Sequence, residues 1–172
     1  TSTGQLQGLV NTATTSTATN IDITVNNVAA YHDGINSENY GTGSSTIVAT
    51  GQITGGSGQI DQTVDSDGIY AFNHTTATNL SISAANVTGL DDAVYAYNAG
   101  SGALSISLTG DVISTSTDKS DDDYSYGIIA DNEGTDSTIS ISGNVTSNDR
   151  GIWSWNNGSG ALSITSTGDV TA

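Results

Sequence analysis

The chain contains no proline, no cysteine and no methionine, and it carries only two permanent cations, Lys119 and Arg150, against eighteen acidic residues. Each scarcity excludes something. Without cysteine there are no disulfides and no thiolate metal sites, although the compartment stays open. A formal net charge of -16 repels nucleic acid, whose affinity for proteins comes largely from Lys and Arg at phosphates. Anionic lipid and polyanionic glycans are repelled for the same reason. Neutral or cationic ligands and divalent ions are left as partners. No apolar run approaches the roughly 18 residues of a membrane span, and no charged-then-apolar leader opens the chain. No membrane insertion by this segment is therefore expected. The opening residues, TSTGQLQG, already follow the style of what comes after, so we expect residues 1–172 to be one segment of a longer protein.

What is present is Gly, Ser, Thr, Asn and Asp, with Ile, Val, Leu and Ala as the main apolar residues. Thr, Val and Ile favour extended chain, and Gly, Asn and Asp favour turns. The mixture reads as all-β, and it repeats. Anchored on the small residue that opens each unit (Gly8, Gly34, Gly68, Ala93, Gly127 and Gly151), the spacings are 26, 34, 25, 34 and 24 residues. Short and long units alternate, and the additional residues fall in two inserts, 54–67 and 113–126.

Each unit has three parts. The first is GI-x-A-x-N. The second is an apolar pair two residues apart: Ile21/Ile23, Ile47/Ala49, Leu80/Ile82, Leu104/Ile106, Ile139/Ile141 and Leu162/Ile164. The third is a single Val or Ile: Val28, Ile53, Val87, Val112, Val145 and Val170. Every part alternates with the period of a strand. Three short strands cannot bury a core alone, but stacked units can. The spacing predicts a right-handed parallel β-helix of about six three-strand coils in three sheets, each strand pairing with its equivalent about 4.8 Å above and below. An up-and-down sandwich would not explain why the same residue types return at the same offset.

Stacking gives the repeated polar and aromatic positions a meaning. Asn39, Asn73, Asn98, Asn132 and Asn156 share one inward offset. Their amides can both donate and accept, so they are expected to form a structural ladder. The positions between the inward ones face out. They hold Tyr70 and Phe72, Tyr95 and Tyr97, and Trp153 and Trp155, six of the ten aromatic residues of the chain, interrupted by Ile129 and Asp131. An exposed aromatic strip marks contact with something, and flat rings with polar tips suit sugar faces, protein partners and copies of the same chain. Cross-strand aromatic neighbours also stabilise a sheet with no ligand at all. Carboxylates cluster in the inserts, with Asp121, Asp122 and Asp123 as the candidate calcium ligands; solvated acidic loops are the plainer reading. No other cofactor is expected.

The recurring GI-x-A-x-N-x-G-x-G-x-L-x-I-x-x-x-G-x-V resembles, over nearly the whole chain, the pectin-lyase-like passenger domains of bacterial autotransporters, in the style of the self-associating and diffuse-adherence adhesins. The resemblance implies secretion to the outer surface of a Gram-negative cell, through a C-terminal membrane barrel outside this chain, and a role in adhesion or aggregation. The partner would be another cell-surface protein, the protein itself or a neutral glycan. Polysaccharide-degrading β-helices are the alternative class. Their lyases need an Arg or Lys base beside calcium, and neither Arg150 nor Lys119 sits by a matching cluster in the sequence. Their hydrolases need paired Asp residues with Gly-His-Gly, whereas His32 stands in YHD and His74 in NHT. The expectation is a non-catalytic adhesin segment.

Overall fold

The computed structural model describes residues 9–13, 19–59, 65–117 and 125–172. Among them are sixteen strands and no helix, arranged in two sheets. Every pairing is parallel. The first sheet contains the first strand of each unit: Leu9–Ala13, Ile35–Asn39, Ile69–Asn73, Val94–Asn98, Tyr126–Asn132 and Arg150–Asn156, in that spatial order. Parallel neighbours that follow the repeat order, with the same offset of each unit in register, are what stacking of equivalent units produces.

Two sheets replace the three expected. In Ser45–Thr54 and Leu80–Gly89 the second and third parts of a unit run on as one ten-residue strand. Their mutual register slips between Ala49 and Gln52, an irregularity that bends the strand without ending the ladder. The short third strands, Val112–Ser114, Val145–Thr146 and Val170–Thr171, are thereby carried into the same sheet.

The apolar row is also wider than a pair. Ile23, Ile47, Ile82, Ile106, Ile139 and Ile164 are in register. On one side of them lie Ile21, Ser45, Leu80, Leu104, Ser137 and Leu162, and on the other Val25, Ala49, Ala84, Leu108, Ile141 and Ser166. The pairs Ile47/Ala49 and Ile139/Ile141 therefore sit two residues further along than Leu80/Ile82 or Leu104/Ile106. A slip of two leaves every side chain on its own face, so alternation alone does not reveal it. Ser45 and Ser137 fill the vacated inward positions and are buried.

Burial depends on having a neighbour on both sides. Ile82, Ile106 and Ile139 are at most 1% exposed, whereas Ile164 in the last unit is 45% exposed. At the glycine anchors the stacking is close, although Ala93 holds a buried Cβ at the same offset. A Cβ on Gly68 would lie 2.5 Å from the carbonyl oxygen of Ala93 and 2.5 Å from Val87 Cγ1. Past Thr54 the chain turns through Gly56, whose φ of +69° is a left-handed conformation that glycine adopts without a Cβ penalty.

Candidate binding face

Within Ile35–Asn39, Ile69–Asn73 and Val94–Asn98, burial alternates, with the even offsets half-exposed. Register then generates two outward columns. One runs Asn36, Tyr70, Tyr95, Ile129, Trp153; the other runs Glu38, Phe72, Tyr97, Asp131, Trp155. Tyr70 and Tyr95 stack at 5.1 Å with 15° between their planes, and Phe72 meets Tyr97 at 4.8 Å and 60°. These separations follow from the strand spacing, which puts equivalent side chains within ring-contact distance. Burial against its neighbours, reinforced by the nearby Tyr95, pushes the Tyr70 hydroxyl up to about 12. The Tyr97 hydroxyl is also pushed up to about 12, first by donating to Glu133 Oε1 at 2.6 Å and then by desolvation.

The face is larger than the six aromatic residues. Tyr40 stacks on His74 at 3.6 Å, and Phe72 meets His74 at 4.4 Å. Beyond the interruption at Ile129 and Asp131, Trp153 meets Trp155 at 4.4 Å and Tyr126 at 4.9 Å. The Arg150 guanidinium lies 4.5 Å from the Trp153 ring centre, and its Nη1 donates to the Tyr126 hydroxyl at 3.0 Å. Tyr126 and Arg150 pair with each other one place before their anchor glycines. A signal for them was available in the sequence: the same offset holds Asp33, Asp67 and Asp92 in the earlier units.

Behind the face runs the asparagine column. Asn39, Asn73, Asn98, Asn132 and Asn156 are in register, with Ala13 opposite Asn39. Asn73 Nδ2 donates to Asn98 Oδ1 at 3.1 Å, Asn98 to Asn132 at 2.9 Å, and Asn132 to Asn156 at 2.9 Å. The same amide nitrogens also donate to carbonyls in the following turns, Asn73 to Asn79, Asn98 to Gly102 and Asn132 to Thr135, and Asn156 donates likewise to Gly160. One amide thus joins two units and closes one turn. Between Asn39 and Asn73 the chain of amides is broken: Asn73 Oδ1 accepts from Ser45 Oγ at 2.6 Å, and Asn39 Nδ2 turns to the Gly43 carbonyl.

At the other end of the first strand lies a column of carboxylates. Asp33 Oδ1 accepts from the backbone N–H of Asp67, Asp67 from that of Asp92, and Asp92 from that of Tyr126. Asp67 and Asp92 are buried. Desolvation, and then the charges of Asp92, Asp65, Asp33 and Asp91, hold the Asp67 carboxyl well above the ordinary carboxylate range. Elsewhere the same linkage uses either residue type. Asn86, Asp111 and Asn144 each accept from the N–H of the next unit's equivalent, Asp111, Asn144 and Asp169. Where only an acceptor is needed, Asn and Asp exchange freely.

Carboxylate oxygens of Asp65, Asp67 and Asp91 approach within 4.8 Å of one another. An acidic group of this kind is common without an ion, and Asp67 Oδ1 is already engaged by the N–H of Asp92. Asp61, Asp118, Asp121, Asp122 and Asp123 lie outside the described residues. No protein-family profile, curated protein or solved structure matches the chain.

Proposed function

We propose that this chain is a non-catalytic adhesive segment of a secreted bacterial surface protein, built as a right-handed parallel β-helix of six coils. Its aromatic face is the contact surface, for a protein partner or a second copy. One observation carries this reading. Rings that the core does not require are held in register on one side of the stack, Tyr70 on Tyr95 and Phe72 on Tyr97, with Trp155 47% exposed. Apolar surface kept outside is retained for contact. The resemblance to autotransporter passengers, carried by the repeated motif, adds the extracellular setting. Replacing Tyr95, Tyr97, Trp153 and Trp155 together with Ser is expected to abolish target binding or cell aggregation while the β-type circular dichroism persists. Unchanged binding by this variant removes the face from the account.

A second reading, a neutral glycan lying along the columns, is favoured by the spacing. The repeat of about 4.8 Å is near the length of one sugar unit, and stacked rings suit sugar faces. A glycan array, together with a screen for polysaccharide cleavage, separates that reading from protein contact and from the enzyme class.

A further inference from the structure

The aromatic face carries its own example of a ligand. Arg150, the single permanent cation among the described residues, lies against this face, with its guanidinium 4.5 Å from the Trp153 ring centre and 5.5 Å from that of Tyr126. The rings at that end have a cation on them. The other ring group, Tyr70, Phe72, Tyr95 and Tyr97, has the same outward columns and no Lys or Arg against it among the described residues. It has carboxylates instead. In register, Phe72 and Tyr97 are bracketed by Glu38 on one side and Asp131 on the other. Glu133 is exposed beside them and accepts from the Tyr97 hydroxyl. The Asp131 Oδ1 is buried and accepts no hydrogen bond. Desolvation, with the Glu133 charge next, raises the Asp131 carboxyl above its ordinary range, against a hydrogen bond from the Asn132 backbone that lowers it. Ring faces attract cations, and an adjacent carboxylate adds to that attraction.

We infer that the Tyr70, Phe72, Tyr95 and Tyr97 surface, rimmed by Glu38, Asp131 and Glu133, binds a basic segment of another protein through its Arg or Lys side chains. The inference rests on the aromatic face being a contact surface, and it narrows the partner. A second copy of this chain, with two permanent cations against eighteen acidic residues, is a poor source of such a segment. A polyanionic glycan is excluded by the same charges. The net charge of -16 draws a basic partner in from a distance, and the rings and carboxylates give it a place to stop.

The test uses the full chain and three probes: an octa-arginine peptide, a neutral peptide of equal length and cellohexaose. Binding is followed by calorimetry and by tyrosine and tryptophan fluorescence at low and physiological salt. Octa-arginine is expected to bind and the other two are not. Asp131→Asn combined with Glu133→Gln is expected to weaken octa-arginine binding about tenfold. The control pair Asp22→Asn with Asp169→Asn removes the same charge from exposed sites away from this face, and should change affinity by no more than about twofold. Equal losses in both pairs would reduce the effect to general charge and overturn the inference, as would binding of cellohexaose in preference to the basic peptide. The two levels fail differently. If Tyr95→Ser with Tyr97→Ser abolishes target binding by cells but the Asp131/Glu133 pair does not alter it, the face stands and the basic partner falls. If the tyrosine variant has no effect, both fall.

Discussion

Two side-chain columns tie the units of this molecule together at opposite ends of the first strand, and they solve the same problem differently. The asparagine column, Asn73 to Asn156, sits in the interior and links side chain to side chain. The aspartate column, Asp33 to Asp92, links side chain to backbone. The difference comes from valence. An amide donates and accepts, so amides can stack on one another without charge. An ionised carboxylate only accepts, so it needs a donor from the next unit, and each added member brings another negative charge. The first column can extend indefinitely. The second accumulates repulsion, and Asp67, in its middle, responds with a raised carboxyl pKa.

The largest expected effect is in the amide column. Asn98→Ala removes two donations and one acceptance, leaving the Asn132 oxygen and the Gly102 carbonyl without their donor. We expect a loss of about 3 kcal/mol, seen as a melting midpoint lower by roughly 6 to 12 °C. Asn156→Ala, in the partly exposed last unit, should cost about 1 kcal/mol because water replaces the lost partners. Equal losses at the two positions would contradict the burial argument.

The second effect has the opposite sign. A carboxyl whose folded pKa is raised binds its proton more tightly when folded than when unfolded. Its contribution favours folding in acid, and it is lost as pH rises from the unfolded value of about 4 through the raised folded value. Asp67→Asn keeps the oxygen that accepts from Asp92, as the Asn86, Asp111, Asn144 column shows is feasible. The variant should be more stable than the parent at neutral pH, with the gap closing below about pH 4. Urea denaturation across pH 4 to 8 measures this; parallel curves for the two proteins would mean that Asp67 is not the titrating group.

The smallest effect concerns a position where neither device is used. Ser37 is buried with a hydroxyl that has no hydrogen-bond partner, where the next three units have Ala71, Ala96 and Ala130. Ser37→Ala is expected to stabilise by about 1 kcal/mol. A loss of stability would point to a partner for that hydroxyl.

The alternation of residue types made much of this legible. GI-x-A-x-N says which side chains of the first strand are inside and which are outside, because strand geometry has period two and any other choice would bury Glu38 or Asp131. The anchors at Gly34, Gly68, Gly127 and Gly151 mark where four of the units begin, since their neighbours leave little room for a Cβ, while Ala93 fits one at the same offset. Less legible were features on which period two is silent. Ile139/Ile141 and Leu104/Ile106 look equivalent in the sequence yet are offset by two in space, since a slip of two changes no face. Asp33, Asp67 and Asp92 read as turn residues. Only the stacked neighbour, with its N–H pointing back, makes them connectors.

Composition and periodicity alone determined that the chain is extended, that its units are equivalent, and which face each side chain occupies. These follow from local backbone geometry and from the need to hide Ile, Leu and Val. The tertiary structure decided the register of the second strand, the merging of two expected sheets into one, the break in the amides at Ser45, and the seating of Arg150 on Trp153. Each of these depends on which atoms lie about 5 Å away in the next unit, and that distance is set by packing between segments 24 to 34 residues apart in the chain.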